Sequence, residues 1–155
     1  MNALAQLATV AAIALAAAGG TFLTKGPPQR ALLCDPATIK PDEVCLQDIP
    51  AGAAVVWVDA RSRADWLKNG LPGSLLWNLD PAEDAAAFEA EVAMKIAETP
   101  RAIVYCGDEN CGVSRQVAAR IRAIGMEAQV SVLHGGWRAL SEAGRINLEK
   151  KMNHR

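Results

Sequence analysis

Cys106 and Cys111 are the side chains in this chain best placed to do chemistry. Cys106 closes an apolar run, Ile103-Val104-Tyr105-Cys106. It opens a short loop, Gly107-Asp108-Glu109-Asn110-Cys111-Gly112, ahead of a helical pattern starting near Ser114. A strand that delivers a cysteine into a loop capping a helix N-terminus favours the thiolate. Loop amides and the positive helix end both stabilise negative charge on sulfur. Such a thiolate suits sulfur transfer or other covalent cysteine chemistry. Cys111 has two readings. It attacks a persulfide on Cys106 or forms a disulfide with it, making the loop a redox switch. Otherwise it is a small residue at the loop base, since spacing alone does not bring two Cβ atoms within bonding reach.

The remaining reactive residues are less informative. His134 follows an apolar run and could be a general base. The simpler reading is a histidine satisfied by backbone groups in the turn His134-Gly135-Gly136, because a preformed thiolate needs no base. Four cysteines fall into the pairs Cys34/Cys45 and Cys106/Cys111, neither with zinc-ribbon spacing, and His134 and His154 complete no ligand set, so no metal is expected. No other cofactor is called for. Trp57, Trp66, Trp77 and Trp137 read as core and rim packing, too scattered to stack bases.

These residues need a scaffold, and 155 residues suffice for one domain with a sizeable core plus an N-terminal addition. A formal net charge of −1 with no basic block excludes nucleic acid as a favoured partner. From Leu4 to Leu23 no charged side chain occurs, a stretch of about twenty residues that would span the hydrocarbon layer as a helix. Residues 1–24 are therefore expected to be a single-pass membrane anchor. A cleaved signal peptide, with small residues at Ala16-Ala17-Ala18 and a secreted or periplasmic product, is the alternative. Residues 25–41, rich in proline and polar groups, form a linker, 42–148 the folded domain and 149–155 a tail.

The side of the membrane stays open. Lys25, Arg30 and Lys40 follow the span and favour a cytoplasmic domain. Cys34 and Cys45 argue the other way if they pair in an oxidising compartment. If they do not, Cys45, beside Val44 and Leu46, packs as a small apolar residue.

Along the domain, apolar runs alternate with helical patterns. Ala53 to Val58 reads as a strand buried on both faces, Arg63 to Lys68 as a short helix, and Leu75 to Leu79 as a second strand. A helix is expected from Asp80 as N-cap, with Pro81 at its first position, Glu83 completing a capping box, and Ala85, Phe88, Val92 and Ile96 buried. Thr99-Pro100 stops it. Ile103 to Cys106 is a third strand and Ser114 to Ile124 a helix ended by Gly125. Gln129 to Leu133 is a fourth strand, followed by a helix from Trp137. The alternation implies an α/β fold with a mostly parallel sheet and helices on both faces, preceded by the N-terminal hydrophobic helix. Binding crevices in such sheets lie at the carboxyl ends of strands, where Cys106, Asp59, Asn78 and His134 all fall.

In this order the chain resembles the single-domain rhodaneses. The resemblance rests on Trp57-Val58-Asp59-Ala60-Arg61, Leu71-Pro72-Gly73-Ser74, Val104-Tyr105-Cys106 with its loop and helix, and Leu133-His134-Gly135-Gly136-Trp137. It implies a sulfurtransferase that carries sulfane sulfur as a persulfide on Cys106 and passes it to a thiol or other nucleophile. The implied substrate-binding loop comprises Gly107, Asp108, Glu109, Asn110, Cys111, Gly112, Val113, Ser114 and Arg115. Asp59 and Arg61 resemble the family's acidic-basic pair and would fasten the loop network. Implied partners are a small sulfur donor or acceptor thiol, a protein persulfide among them.

Departures from the family pattern suggest other functions. The loop looks about two residues longer than usual, with Cys111 where an arginine is common and Asp108 and Glu109 on the rim. Asn69-Gly70 replaces a glycine-histidine, and Leu140 a tryptophan. A catalytically weak or silent module for protein binding or redox sensing at the membrane is the main alternative. A cysteine phosphatase ranks last, lacking the arginine that would close on a phosphate dianion. Two loop carboxylates oppose an anionic donor, each costing about 2 kcal/mol at ~8 Å before screening. Arg115 or Arg138 could offset this. Weak thiosulfate turnover is the expectation.

Overall fold

The computed structural model describes residues 34–107, 112–125 and 127–146. The expected anchor (1–24), most of the linker and the tail (149–155) lie outside the described residues. So do the loop residues Asp108, Glu109, Asn110 and Cys111. Among the described residues, no helix is long and apolar enough to cross a membrane.

Five strands form one sheet: β1 (Glu43–Val44), β2 (Val56–Asp59), β3 (Leu75–Leu76), β4 (Arg101–Tyr105) and β5 (Gln129–Leu133). Their order is β1-β5-β4-β2-β3, and every neighbouring pair is parallel. Helices α1 (Arg63–Asn69), α2 (Ala85–Glu98), α3 (Val113–Ala123) and α4 (Gly136–Glu142) supply the crossovers and the closing segment. β4 is central, as expected of its unbroken apolar run, and side chains alternate across it. Ala102, Val104 and Cys106 join one cluster with Phe88, Val92 and Ile96 of α2 and Val117, Ala118 and Ile121 of α3. Ile103 and Tyr105 join the other, with Leu140 of α4, Ile49 and Leu133. Helices thus cover both faces of an α/β, mostly parallel sheet.

Three expectations need correction. The long helix starts later than its capping-box pattern suggests, because Asp84 is the N-cap and accepts from the amides of Ala86 and Ala87. Asp80 instead closes a turn onto the Ala82 amide, and Glu83 is drawn away to pair with Arg63 at 2.6 Å. Ala85 consequently stays exposed, while Phe88, Val92 and Ile96 are buried. The second expected strand shortens to Leu75–Leu76, since the chain departs from β2 after the Trp77 amide bonds the Asp59 carbonyl at 3.0 Å. Strand β1 and a 3-10 turn at Leu46–Asp48 were not anticipated. A two-residue edge strand carries no period to read.

Cys34 and Cys45 are joined in a disulfide, with Cα atoms 5.6 Å apart. Cys45 is fully buried directly after β1, so the bond ties the chain leading into the sheet to its edge strand. Closing a loop of this length contributes about 3 kcal/mol in the chain-entropy picture.

Candidate functional site

Cys106 follows the last residue of β4, at the carboxyl edge of the sheet. Its backbone is held by the start of α4. The Trp137 amide donates to the Cys106 carbonyl at 2.7 Å, and the Arg138 amide to the Gly107 carbonyl at 3.2 Å. That approach requires the chain to reverse sharply after β5. Gly135 and Gly136 make the turn with φ of +74° and +52°, a region that side chains resist. Cys106 is 4% exposed, its side chain on the α2/α3 face of the sheet, and its sulfur is in a disulfide. Of the expected binding loop, Gly107, Gly112, Val113, Ser114 and Arg115 are described. Gly112 precedes the first turn of α3 and Ser114 is buried.

On the β2 side of Cys106 lies a largely buried network. Asp59 is fully buried, and Arg61 grips its carboxylate through Nε and Nη2, the latter at 2.7 Å. The guanidinium also donates to Asn69 Oδ1 at 2.9 Å and sits over the rings of Trp137 (5.2 Å) and Tyr105 (5.8 Å). Asn69 serves twice, because its carbonyl accepts from the Trp137 indole at 2.8 Å. Below, the Tyr105 hydroxyl accepts from the Leu71 amide and donates to Ser74 Oγ, pinning the Leu71–Ser74 turn under β4. Burial first, then the nearby Asp59 carboxylate, hold that hydroxyl well above the ordinary tyrosine range, so it stays a donor. Gly70 has no room for a side chain, since a Cβ there would lie 2.6 Å from the Trp66 carbonyl oxygen.

On the β5 side the arrangement is ionic. Glu43 of β1, with a side chain only 7% exposed, accepts from Arg115 Nη1 at 3.0 Å and meets His134 Nδ1 at 2.9 Å. A carboxylate can only accept, so Nδ1 of His134 carries the hydrogen. Burial pushes the Glu43 carboxyl up. Hydrogen bonds from His134 and the Lys40 amide, with the charges of His134 and Lys40, more than offset this and leave it below its ordinary 4.5. His134 is therefore satisfied by a carboxylate side chain, not by the backbone of its own turn as expected. Arg115 and Arg138 are both engaged by carboxylates, Arg138 with Glu142 at 3.0 Å. Neither is a spare cation for an anionic substrate. Among the described residues, no cluster of His, Cys, Asp or Glu is suited to hold a metal.

The rhodanese-like domain family matches residues 43–143, about two thirds of the chain. The chain belongs to the rhodanese-like domain family. Solved structures with a similar fold include the N-terminal domain of a "putative ATP/GTP binding protein" from Clostridium difficile 630. That domain has 12% identity and a TM-score of 0.50, covering 65% of this chain and 97% of that one. A thiosulfate sulfurtransferase from Pseudomonas aeruginosa matches over 59% of this chain and 15% of its own, at 19% identity and a TM-score of 0.43. An As-Sb reductase from Leishmania major matches over 59% of this chain and 66% of its own, at 20% identity and a TM-score of 0.45. A comparison with curated protein sequences finds no significant match. At 12% identity, the Clostridium difficile domain shares the fold alone.

Several residues of this rhodanese-like domain carry more than their sequence suggested. Glu43 gave no signal, because its partners lie 72 and 91 residues away. Asn69 stood out only as a departure from the family pattern, and the Arg61 and Trp137 contacts explain its presence. Tyr105 gave one hint, as the only tyrosine in the chain and set beside the candidate nucleophile.

Proposed function

We propose that this domain is a sulfurtransferase that carries sulfane sulfur on Cys106 and delivers it to a thiol. The observation that supports this best is the backbone clamp. Two amides at the start of α4 fix the Cys106 and Gly107 carbonyls, which holds the backbone at the candidate carrier cysteine in place. The loop amides and the N-terminus of α3 then favour the thiolate and, after loading, the persulfide anion.

In the reaction, the Cys106 thiolate attacks the outer sulfur of a donor persulfide and expels the donor thiolate. An acceptor thiolate next attacks the outer sulfur now on Cys106. It leaves as a persulfide and returns Cys106 to the thiolate. Neither step needs a general base.

The disulfide state of Cys106 favours a redox component. With Cys34 and Cys45 bonded to each other, Cys111 is the remaining cysteine of the four, and we take it as the partner. A dithiol reductant would open this bond, becoming a disulfide itself and leaving two thiols, before sulfur can load. Sulfur transfer is then available only after a specific dithiol partner has opened this bond, which joins the enzymatic and redox-sensing readings in one site. Membrane attachment through residues 1–24 remains part of the proposal, with the Cys34–Cys45 pairing favouring an oxidising compartment for the domain.

A single-turnover assay tests the transfer. Reduced protein, loaded from a low-molecular-weight persulfide and freed of excess donor, should pass its sulfur to an added thiol in one stoichiometric step. Protein that holds the sulfur indefinitely in the presence of thiol is not a transferase.

A further inference from the structure

The described site holds one ionic group that the transfer chemistry does not use, the Glu43–Arg115–His134 cluster. Its position relative to Cys106 follows from strand register. Val104 of β4 is paired with Val132 of β5, and Glu43 of β1 is paired with the same Val132. Continuing the β4–β5 register by two residues places Cys106 beside His134. Val104, Cys106 and Val132 share the α2/α3 face of the sheet, and alternation puts His134 and Glu43 there too. With neighbouring strands about 4.8 Å apart and a two-residue offset of about 6.6 Å along them, the Glu43 and Cys106 backbones lie roughly 12 Å apart. Arg115 reaches the same carboxylate from the first turn of α3, the helix that closes the loop.

The exposures differ in a telling way. The Glu43 side chain is 7% exposed, whereas those of Arg115 and His134 are 30% and 37% exposed. The negative charge is therefore inside, and its two partners face the rim, where an incoming substrate would meet them. An arginine and a histidine on a rim beside a sulfur nucleophile would ordinarily recruit anions. Here a buried carboxylate cancels the guanidinium and occupies the imidazole Nδ1–H.

We infer that Glu43 is a specificity-determining residue. By neutralising Arg115 and fixing His134 at the rim, it selects against strongly anionic sulfur donors such as thiosulfate and in favour of thiol-derived persulfides. The inference rests on the sulfurtransferase reading for its donors, but the field it describes can be measured without turnover.

The experiment uses the full chain carrying Cys111→Ser, handled without reductant so that the Cys34–Cys45 disulfide stays closed and Cys106 is the one thiol that reacts. Two thiosulfonates of similar size probe it, the anionic sulfonatoethyl and the cationic trimethylammonioethyl methanethiosulfonate. In each case the Cys106 thiolate attacks the reagent's sulfenyl sulfur, forms a mixed disulfide and expels methanesulfinate. Removing one charge near the site should change the anion-to-cation rate ratio about five-fold at low ionic strength. Glu43→Gln is expected to raise that ratio, and Arg115→Gln to lower it. In parallel, Glu43→Gln should raise thiosulfate loading relative to persulfide loading by a similar factor.

Opposite shifts in the two variants support the inference, because a merely structural role would move both the same way. Ratios that stay within two-fold of the parent, or that shift together, overturn it. Failure of the parent protein to take sulfur from any donor sinks the sulfurtransferase reading instead, and the reagent ratios still report whether Glu43 sets the field.

Discussion

Cys106 stands between two polar networks built on different physics. Toward β2, Asp59 and Arg61 form a pair with side chains 0% and 9% exposed, capped by the rings of Tyr105 and Trp137. Toward β5, Glu43 holds Arg115 and His134, whose side chains remain a third exposed. The first network is largely buried and ties the Asn69 and Leu71 backbone to Trp137 and Tyr105, so its consequence is geometric. The second stays in contact with solvent, where pair energies are small but charge is felt by whatever approaches. One region braces Tyr105 and Trp137, the neighbours that hold the Cys106 backbone, and the other is, on the reading proposed above, what an incoming donor meets.

The largest expected effect tests the geometric side. Asp59→Ala strands the Arg61 guanidinium between two rings with no carboxylate, and should cost about 3–5 kcal/mol in urea unfolding. A loss under 1 kcal/mol would place this pair in the same weak class as the surface ion pairs. Next in size is Cys34→Ser, which opens the disulfide at the edge strand carrying Glu43. It should lower stability by about 3 kcal/mol under non-reducing conditions, and the difference between variant and parent should close when both are reduced. Tyr105→Phe removes the hydroxyl that joins the Leu71 amide to Ser74 and should cost about 1–2 kcal/mol.

The smallest effect concerns the ionic side and its pH dependence. The Glu43 carboxyl is depressed in the folded protein, so its contribution is complete above its unfolded value near 4.5 and is lost as pH falls through the lower folded value. Glu43→Gln should therefore flatten the acid limb of the stability profile below about pH 4.5. An identical acid limb in the variant would mean that Glu43 titrates alike in both states.

The two networks also differ in how far they could be read from sequence. Asp59-Ala60-Arg61 follows a continuous apolar strand within a short motif, so the pairing spans two residues and belongs to a recognisable pattern. The central strands and the helix from Val113 were legible for the same reason, local periodicity. Glu43 sits on a two-residue strand, and its contacts form only once β1 adds to the edge of β5. No local pattern encodes that pairing. The start of α2 misled because Asp80 and Asp84 both offer a side-chain cap, and the later one won when Glu83 paired with Arg63. The Cys34–Cys45 bond was one of two open readings, since composition does not reveal the distance between two cysteines.

The central claim is that the sulfur of Cys106 is the carrier. Reduced protein should be incubated with cysteine persulfide, digested without reductant and mapped by mass spectrometry. The account predicts a gain of one sulfur atom on the peptide containing Cys106, absent in Cys106→Ser and retained in Cys111→Ser. An unmodified Cys106 peptide in fully reduced, folded protein, or a gain that survives Cys106→Ser, would contradict it.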